Sequence, residues 1–189
     1  VMRYPFRKHR ILARDRRMAA VHEAGHAVIA MHLGLEVLGV HIRPNPTDDI
    51  HTEKSYLGQA TYEPPSDPNH HRMIAVAGMV AEEVWKSHGP AYEYWPGLMT
   101  DPACMSDTDW AGTGCEPGEP DDELIAAVDA VEDLLAWELM PKLTALSRKL
   151  IEADSRRTPD AILDVMEMLG HRVVRPDPSS HPWLFTAAA

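Results

Sequence analysis

Five consecutive residues, His22-Glu23-Ala24-Gly25-His26, set two imidazoles and a carboxylate at a spacing suited to hydrolytic chemistry. In a helix, side chains four apart lie one turn above each other on the same face, so His22 and His26 can grip one cation. Zinc suits the pair, because neutral imidazole is a good ligand for it and a site with three protein ligands leaves a fourth position for water. Glu23 is then placed to take a proton from that water. With 11 His and 14 Glu among 189 residues, chance yields about 0.05 such patterns per chain. A lone His on a helix is more often an ordinary surface or core residue, and that is how the other nine are read.

The pattern needs a rigid helix beneath it, and one is expected. Met18, Val21, Gly25, Val28 and Ile29 recur at steps of three and four, and Gly34 follows as a stop, which predicts an active-site helix over about residues 15 to 33. Leu38, Val40 and Ile42 alternate with smaller or polar residues, as a half-buried strand should, and Tyr56 to Tyr62 forms a second short run. The two are expected to pair. Asp67-Pro68 is an N-cap and first-turn proline for a second helix, whose apolar face is Met73, Val76, Ala77, Val80, Ala81 and Val84 and whose end lies near Gly89-Pro90. Residues 89 to 121 hold five prolines and five glycines, so a long irregular segment is expected there, broken only by a short helical turn near Trp110. Helices over about 121 to 139, 141 to 152 and 158 to 169 follow, then an irregular tail.

Composition narrows the setting. A chain of 189 residues, 44% hydrophobic and 25% charged, suits one folded domain. The first 17 residues carry seven Lys or Arg against Asp15 alone, a segment of +6, while the rest, with 11 basic and 28 acidic residues, carries −17 and would repel nucleic acid. No apolar run is long enough to span a membrane, and no signal-peptide pattern follows the basic start, so cytoplasm is the expected location. Cys104 and Cys115 form no C-x-x-C pair and are expected to be free thiols.

A third metal ligand is required, and the residues leave several candidates. His32 has the metzincin spacing, yet Ile29 stands where that pattern needs a helix-breaking Gly, so His32 should point about 240° around from His26. Glu82 or Glu83 could supply a carboxylate from the second helix. The remaining choice is an Asp within Met105-Ser106-Asp107-Thr108-Asp109-Trp110.

Several segments, in order, resemble the peptidase domain of the FtsH-type ATP-dependent zinc proteases. They are Val21-His22-Glu23-Ala24-Gly25-His26-Ala27-Val28, the strand pair Val40-His41-Ile42-Arg43-Pro44 and Leu57-Gly58-Gln59-Ala60-Thr61-Tyr62, and Ala77-Gly78-Met79-Val80-Ala81-Glu82-Glu83. The resemblance covers roughly residues 15 to 115 and implies that the third zinc ligand is Asp107 or Asp109. Asp109 is favoured, since Asp107 is well placed to cap the short helix, and a carboxylate in that first turn is kept ionised by the helix dipole. Glu82 or Glu83 would then orient a ligand His. The second strand, Leu57 to Tyr62, either serves only as a hairpin partner or, as the resemblance implies, offers an edge to which an extended peptide adds.

The expected fold is thus mainly α with a small β-sheet (α+β), a zincin-like, FtsH-peptidase-like helical domain. A basic arm (1–14) precedes it, the metallopeptidase-like domain spans 15–175, and a tail (176–189) follows. The expected activity is zinc-dependent peptide hydrolysis, with His22, His26 and Asp109 on the metal and Glu23 as general base. No GxxxxGK[ST] motif occurs in these residues, so substrates should be peptides or flexible protein segments, or proteins delivered by a separate ATPase or adaptor. Two rivals are a non-catalytic metal-binding interaction module, whose ion would be closed by a fourth protein ligand such as Cys104, and a regulatory protease specific for one protein.

Overall fold

Where the first helix crosses the second, the second presents small side chains, Ala77 and Ala81, both fully buried. Between them sits Gly25, whose absent Cβ would lie 2.5 Å from the Ala77 carbonyl oxygen. Glycine is therefore required there by close backbone approach, not by conformation. This crossing brings the two helices together immediately beneath the His-Glu-His turn.

The computed structural model describes residues 5–45, 54–91 and 95–156. The helix expected over 158–169 and the tail lie outside the described residues. The fold is mainly helical with one two-stranded antiparallel sheet. Helix α1 spans Pro5–His32, strand β1 Val37–Pro44, strand β2 Tyr56–Tyr62 and helix α2 Pro68–Ser87. Short helices α3 (Trp95–Leu98) and α4 (Asp107–Thr113) follow, with a 3-10 turn at Pro102–Cys104 between them. Helix α5 (Asp122–Asp133) runs through a π segment (Leu134–Glu138) toward helix α6 (Met140–Arg156). No helix among the described residues is long and apolar enough to cross a membrane.

Helix α1 starts ten residues earlier than the periodicity predicts. Its opening stretch is rich in Arg, Lys, Leu and Ala, all strong helix formers, and Pro5 sits where a missing N–H costs nothing. Asp15, the expected start, is occupied elsewhere, accepting from the Ser55 hydroxyl at 2.7 Å and from Arg14 at 2.8 Å. Part of the basic arm is consequently a continuation of the site helix. From residue 20 to 31 α1 is buried almost all round, by α2, by the sheet and by α6. Arg16 clamps α6, donating to Asp154 at 2.6 Å and to the Ile151 carbonyl at 2.7 Å.

The strands fall where alternation puts them. Val40 opposes Ala60, Ile42 opposes Gly58 and Pro44 opposes Tyr56. The Asn45 N–H donates to the Ser55 carbonyl at 2.9 Å, which makes that pair, and every second pair from it, the hydrogen-bonded ones. The main-chain groups of Tyr56, Gly58 and Ala60 therefore point away from β1, to an edge that pairs with no other strand among the described residues. Asp67 caps α2 by accepting from the Asn69 N–H at 2.8 Å, and His88 ends it in a left-handed conformation.

The segment expected to be irregular contains more order than its prolines and glycines suggest. Glu132 on α5 holds it, accepting from the Ala91 N–H at 2.5 Å and the Trp95 indole at 2.8 Å. The Trp110 indole donates to the Pro102 carbonyl at 2.9 Å and its ring is buried. The boundary expected at 139 becomes a wide turn: the Leu139 N–H reaches back five residues to the Leu134 carbonyl at 2.8 Å, because Pro141 cannot extend a regular ladder.

A Gly25→Ala variant tests the crossing. Overpacking at 2.5 Å from backbone should cost about 1 to 3 kcal/mol and lower the urea midpoint accordingly. An unchanged midpoint would show that the helices do not approach so closely.

Candidate metal centre

One turn of α1 directs His22 and His26 to the same side, with ring centroids 4.8 Å apart. Each ring is oriented through its Nδ1. His26 Nδ1 lies 2.7 Å from the Ile74 carbonyl on α2, which can only accept, so this nitrogen carries the proton. His22 Nδ1 lies 2.9 Å from Glu82 Oε1, also on α2. Both Nε2 atoms are left as lone-pair donors toward a metal, and Asp109 on α4 meets them. Its two carboxylate oxygens lie 3.4 Å from His22 Nε2 and 3.4 Å from His26 Nε2.

Asp109 is positioned by the start of α4. Ser106, not Asp107, is the N-cap: its hydroxyl accepts from the Asp109 N–H at 3.2 Å and donates to Asp109 Oδ2 at 2.7 Å. A serine hydroxyl can do both at once, so the cap and the ligand carboxylate are held by one side chain. Asp107 is exposed at the first helical position. The expectation that it caps the helix is corrected, and the reason is that serine one residue earlier fits the extended cap backbone. Packing of α4 on α2 runs through Gly112, whose Cβ would meet Ala75 at 3.1 Å.

The other candidates are dispersed. His32 is exposed and lies 3.8 Å from Glu138. Glu83 pairs with Lys86 at 2.6 Å, while Glu82 is the residue behind His22. Cys104 and Cys115 are free, and burial pushes the Cys104 thiol up to about 11. Neither belongs to the group of His22, His26 and Asp109, whose ligand atoms all fall within 4.8 Å of one another and could hold a metal ion.

The donor set fits a cation. Two imidazole nitrogens and a carboxylate face each other, all electron-rich, and both imidazole N–H groups are already committed elsewhere. Gly78 of α2 leaves the space this requires, since a Cβ there would strike both Nε2 atoms. Gly58 of β2 does the same for Glu23, whose side chain occupies the place of its Cβ. A glycine inside a strand or helix is a sequence signal of close approach, but the partner it approaches is visible only in three dimensions.

Electrostatics follow from this crowding. Burial opposes charge on His22, yet its hydrogen bonds to Asp109 and Glu82 prevail and push it up to about 10. Burial, aided by neighbouring His22, pushes His26 down to about 4. Burial alone would raise Asp109; the hydrogen bond from His22 and the imidazole charges bring it down to about 2. Glu23 is pushed up to about 7 by burial, against the opposing pull of His22 and a backbone hydrogen bond from Ala60.

A groove of about 940 Å³ opens over these residues. Its lining comes from α1 between Arg14 and His26, from β2 between Tyr56 and Tyr62, from Glu82 and Lys86 of α2 and from Thr108 and Gly112 of α4. The Ala60 hydrogen bond to Glu23 agrees with the ladder parity, which turns Ala60 away from β1. No family model matches the chain, and no curated protein matches it.

Two outcomes follow. Without a metal, a proton sits between His22 and Asp109, so metal uptake near pH 7 must displace it. Calorimetry in buffers of different ionisation enthalpy should register release of about one proton, with affinity falling as pH falls; uptake without proton release would contradict this arrangement. Gly78→Ala should weaken metal affinity by at least about tenfold, because strain of order 1 to 3 kcal/mol falls on the ligand rings, as read by competition with a chromophoric chelator.

Proposed function

We propose that this protein is a zinc-dependent metallopeptidase of the HExxH type, similar in its core to the peptidase domain of FtsH-type proteases. The observation that carries the reading is the convergence of His22, His26 and Asp109 beside Glu23 at the floor of an open groove. A zincin-like fold is part of the same reading: a helix bearing the two imidazoles lies beside a strand with a free edge. When bound, zinc supplies Lewis acidity and makes a water nucleophilic near neutral pH.

The remaining chemistry belongs to the chain. His22, His26 and Asp109 are the ligands, and Glu82 and the Ile74 carbonyl hold the two rings in the right tautomer. Glu23 accepts the proton of the attacking water and returns it to the leaving amine. Its raised pKa suits a group that must both take and give a proton near neutrality. Tyr62 lines the groove, and burial, with Asp109 and Glu23 nearby, raises its phenol, so it keeps an O–H to donate to a developing oxyanion. The free edge of β2 can take an extended peptide as a third strand, exposing its carbonyl to the metal side of the groove.

The open groove and the absence of a fourth protein ligand among the described residues favour catalysis over a structural metal. Glu23→Gln keeps the ligands and removes the base. The variant should retain one zinc by elemental analysis and hydrolyse a pool of flexible peptides at least about 100-fold more slowly than the parent. Undiminished hydrolysis in that variant would falsify the assignment.

A further inference from the structure

Positive charge is scarce in the body of this chain, yet four basic side chains line the groove; Lys86 is paired with Glu83, and the other three meet where Asp15 bonds Ser55 and Arg43 opposes Leu57. These three are Arg14 of α1, Arg43 of β1 and Lys54, just before β2. Arg14 is shared with Asp15. Arg43 and Lys54 are exposed, and the ion pairs of the described residues engage Arg14, Arg16, Arg72, Lys86 and Lys149 instead. Lys54 is near enough for its charge to act on both Glu23 and Glu82. Beyond Arg14, helix α1 continues away from the metal with Lys8 and Arg10 also exposed.

We propose that this basic end is a recognition subsite for acidic side chains, so that the groove selects extended peptide segments carrying Asp or Glu a few residues from the cleaved bond. The proposal rests on the groove being a peptide cleft, and it adds which peptides enter. Charge complementarity is its basis: the net acidic body disfavours acidic segments while the basic side chains of the groove attract them, which orients them on approach. Spacing gives the position. Arg14 lies eight residues before His22, about 12 Å along the helix axis. An extended peptide covers that in about three or four residues. An acid there meets Arg14, Arg43 and Lys54 while the scissile carbonyl lies over the His-Glu-His turn. Longer acidic runs would continue onto Arg10 and Lys8.

The test is binding, measured on Glu23→Gln protein loaded with zinc, by fluorescence anisotropy of three labelled peptides of equal length. One carries three acidic residues beginning three positions from a shared apolar centre, one carries lysines there and one serines. The acidic peptide should bind at least about tenfold tighter than the serine peptide at low ionic strength, with the advantage shrinking as salt rises. In the double variant Arg43→Glu, Lys54→Glu that order should invert in favour of the lysine peptide, with the thermal midpoint unchanged because both side chains are exposed. Equal affinity for all three peptides, or an acidic preference that survives the charge reversal, overturns the proposal. So does a DNA duplex that binds as tightly as the acidic peptide. Failure of the peptidase reading is distinguishable: acidic-peptide binding with no hydrolysis by the parent protein removes the catalysis and leaves the subsite. Hydrolysis without charge preference does the reverse.

Discussion

When His22 and His26 are both neutral, three electron-rich groups face one another in the centre of this protein with no hydrogen donor between them. The imidazole protons of His22 and His26 are turned outward to Glu82 and Ile74, and Asp109 brings negative charge to the remaining nitrogens. Such a cluster is stable only when something positive sits within it, whether a proton or a metal ion. Most of the architecture serves to keep these groups in place. Helix α1 supplies the two rings, α2 supplies both groups that hold them, and α4 supplies the carboxylate through its Ser106 cap.

Small residues make that arrangement reachable. A conventional helix pair packs with axes 8 to 10 Å apart, whereas Gly25 lets α1 meet the backbone of α2 and Gly78 lets α2 meet the rings of α1. On the opposite side Gly58 allows β2 to lie directly against Glu23. The three glycines surround the His-Glu-His turn from three elements. Each lacks a Cβ where another residue's atoms sit: the Ala77 carbonyl for Gly25, the two imidazoles for Gly78 and the Glu23 side chain for Gly58.

Elements with a strong local code were legible in the sequence. Alternation placed both strands at their observed bounds, and Asp67-Pro68 marked the start of α2. The start of α1 lies before the periodic stretch because residues 8 to 19 are exposed or half-buried, and turns that bury no apolar face leave little periodicity to read. The order within the segment before α5 was hidden for another reason, since Glu132 organises it from a distant helix. At the site, the spacing of His22, Glu23 and His26 was readable from the helical period. The choice between Asp107 and Asp109 turned on cap geometry, and Ser106 as the cap was overlooked. That Glu82 and not Glu83 meets His22 depends on which face of α2 meets α1, a tertiary fact that sequence periodicity alone does not decide.

The unpaired margin of β2 has a cost as well as a use. A short sheet with an open side, bearing the exposed Leu57, is a template on which any complementary strand can add, including the same strand of another molecule. Lys54, exposed just before β2, sets a charge at the start of that margin, one of the features that blunt an open strand against unwanted addition.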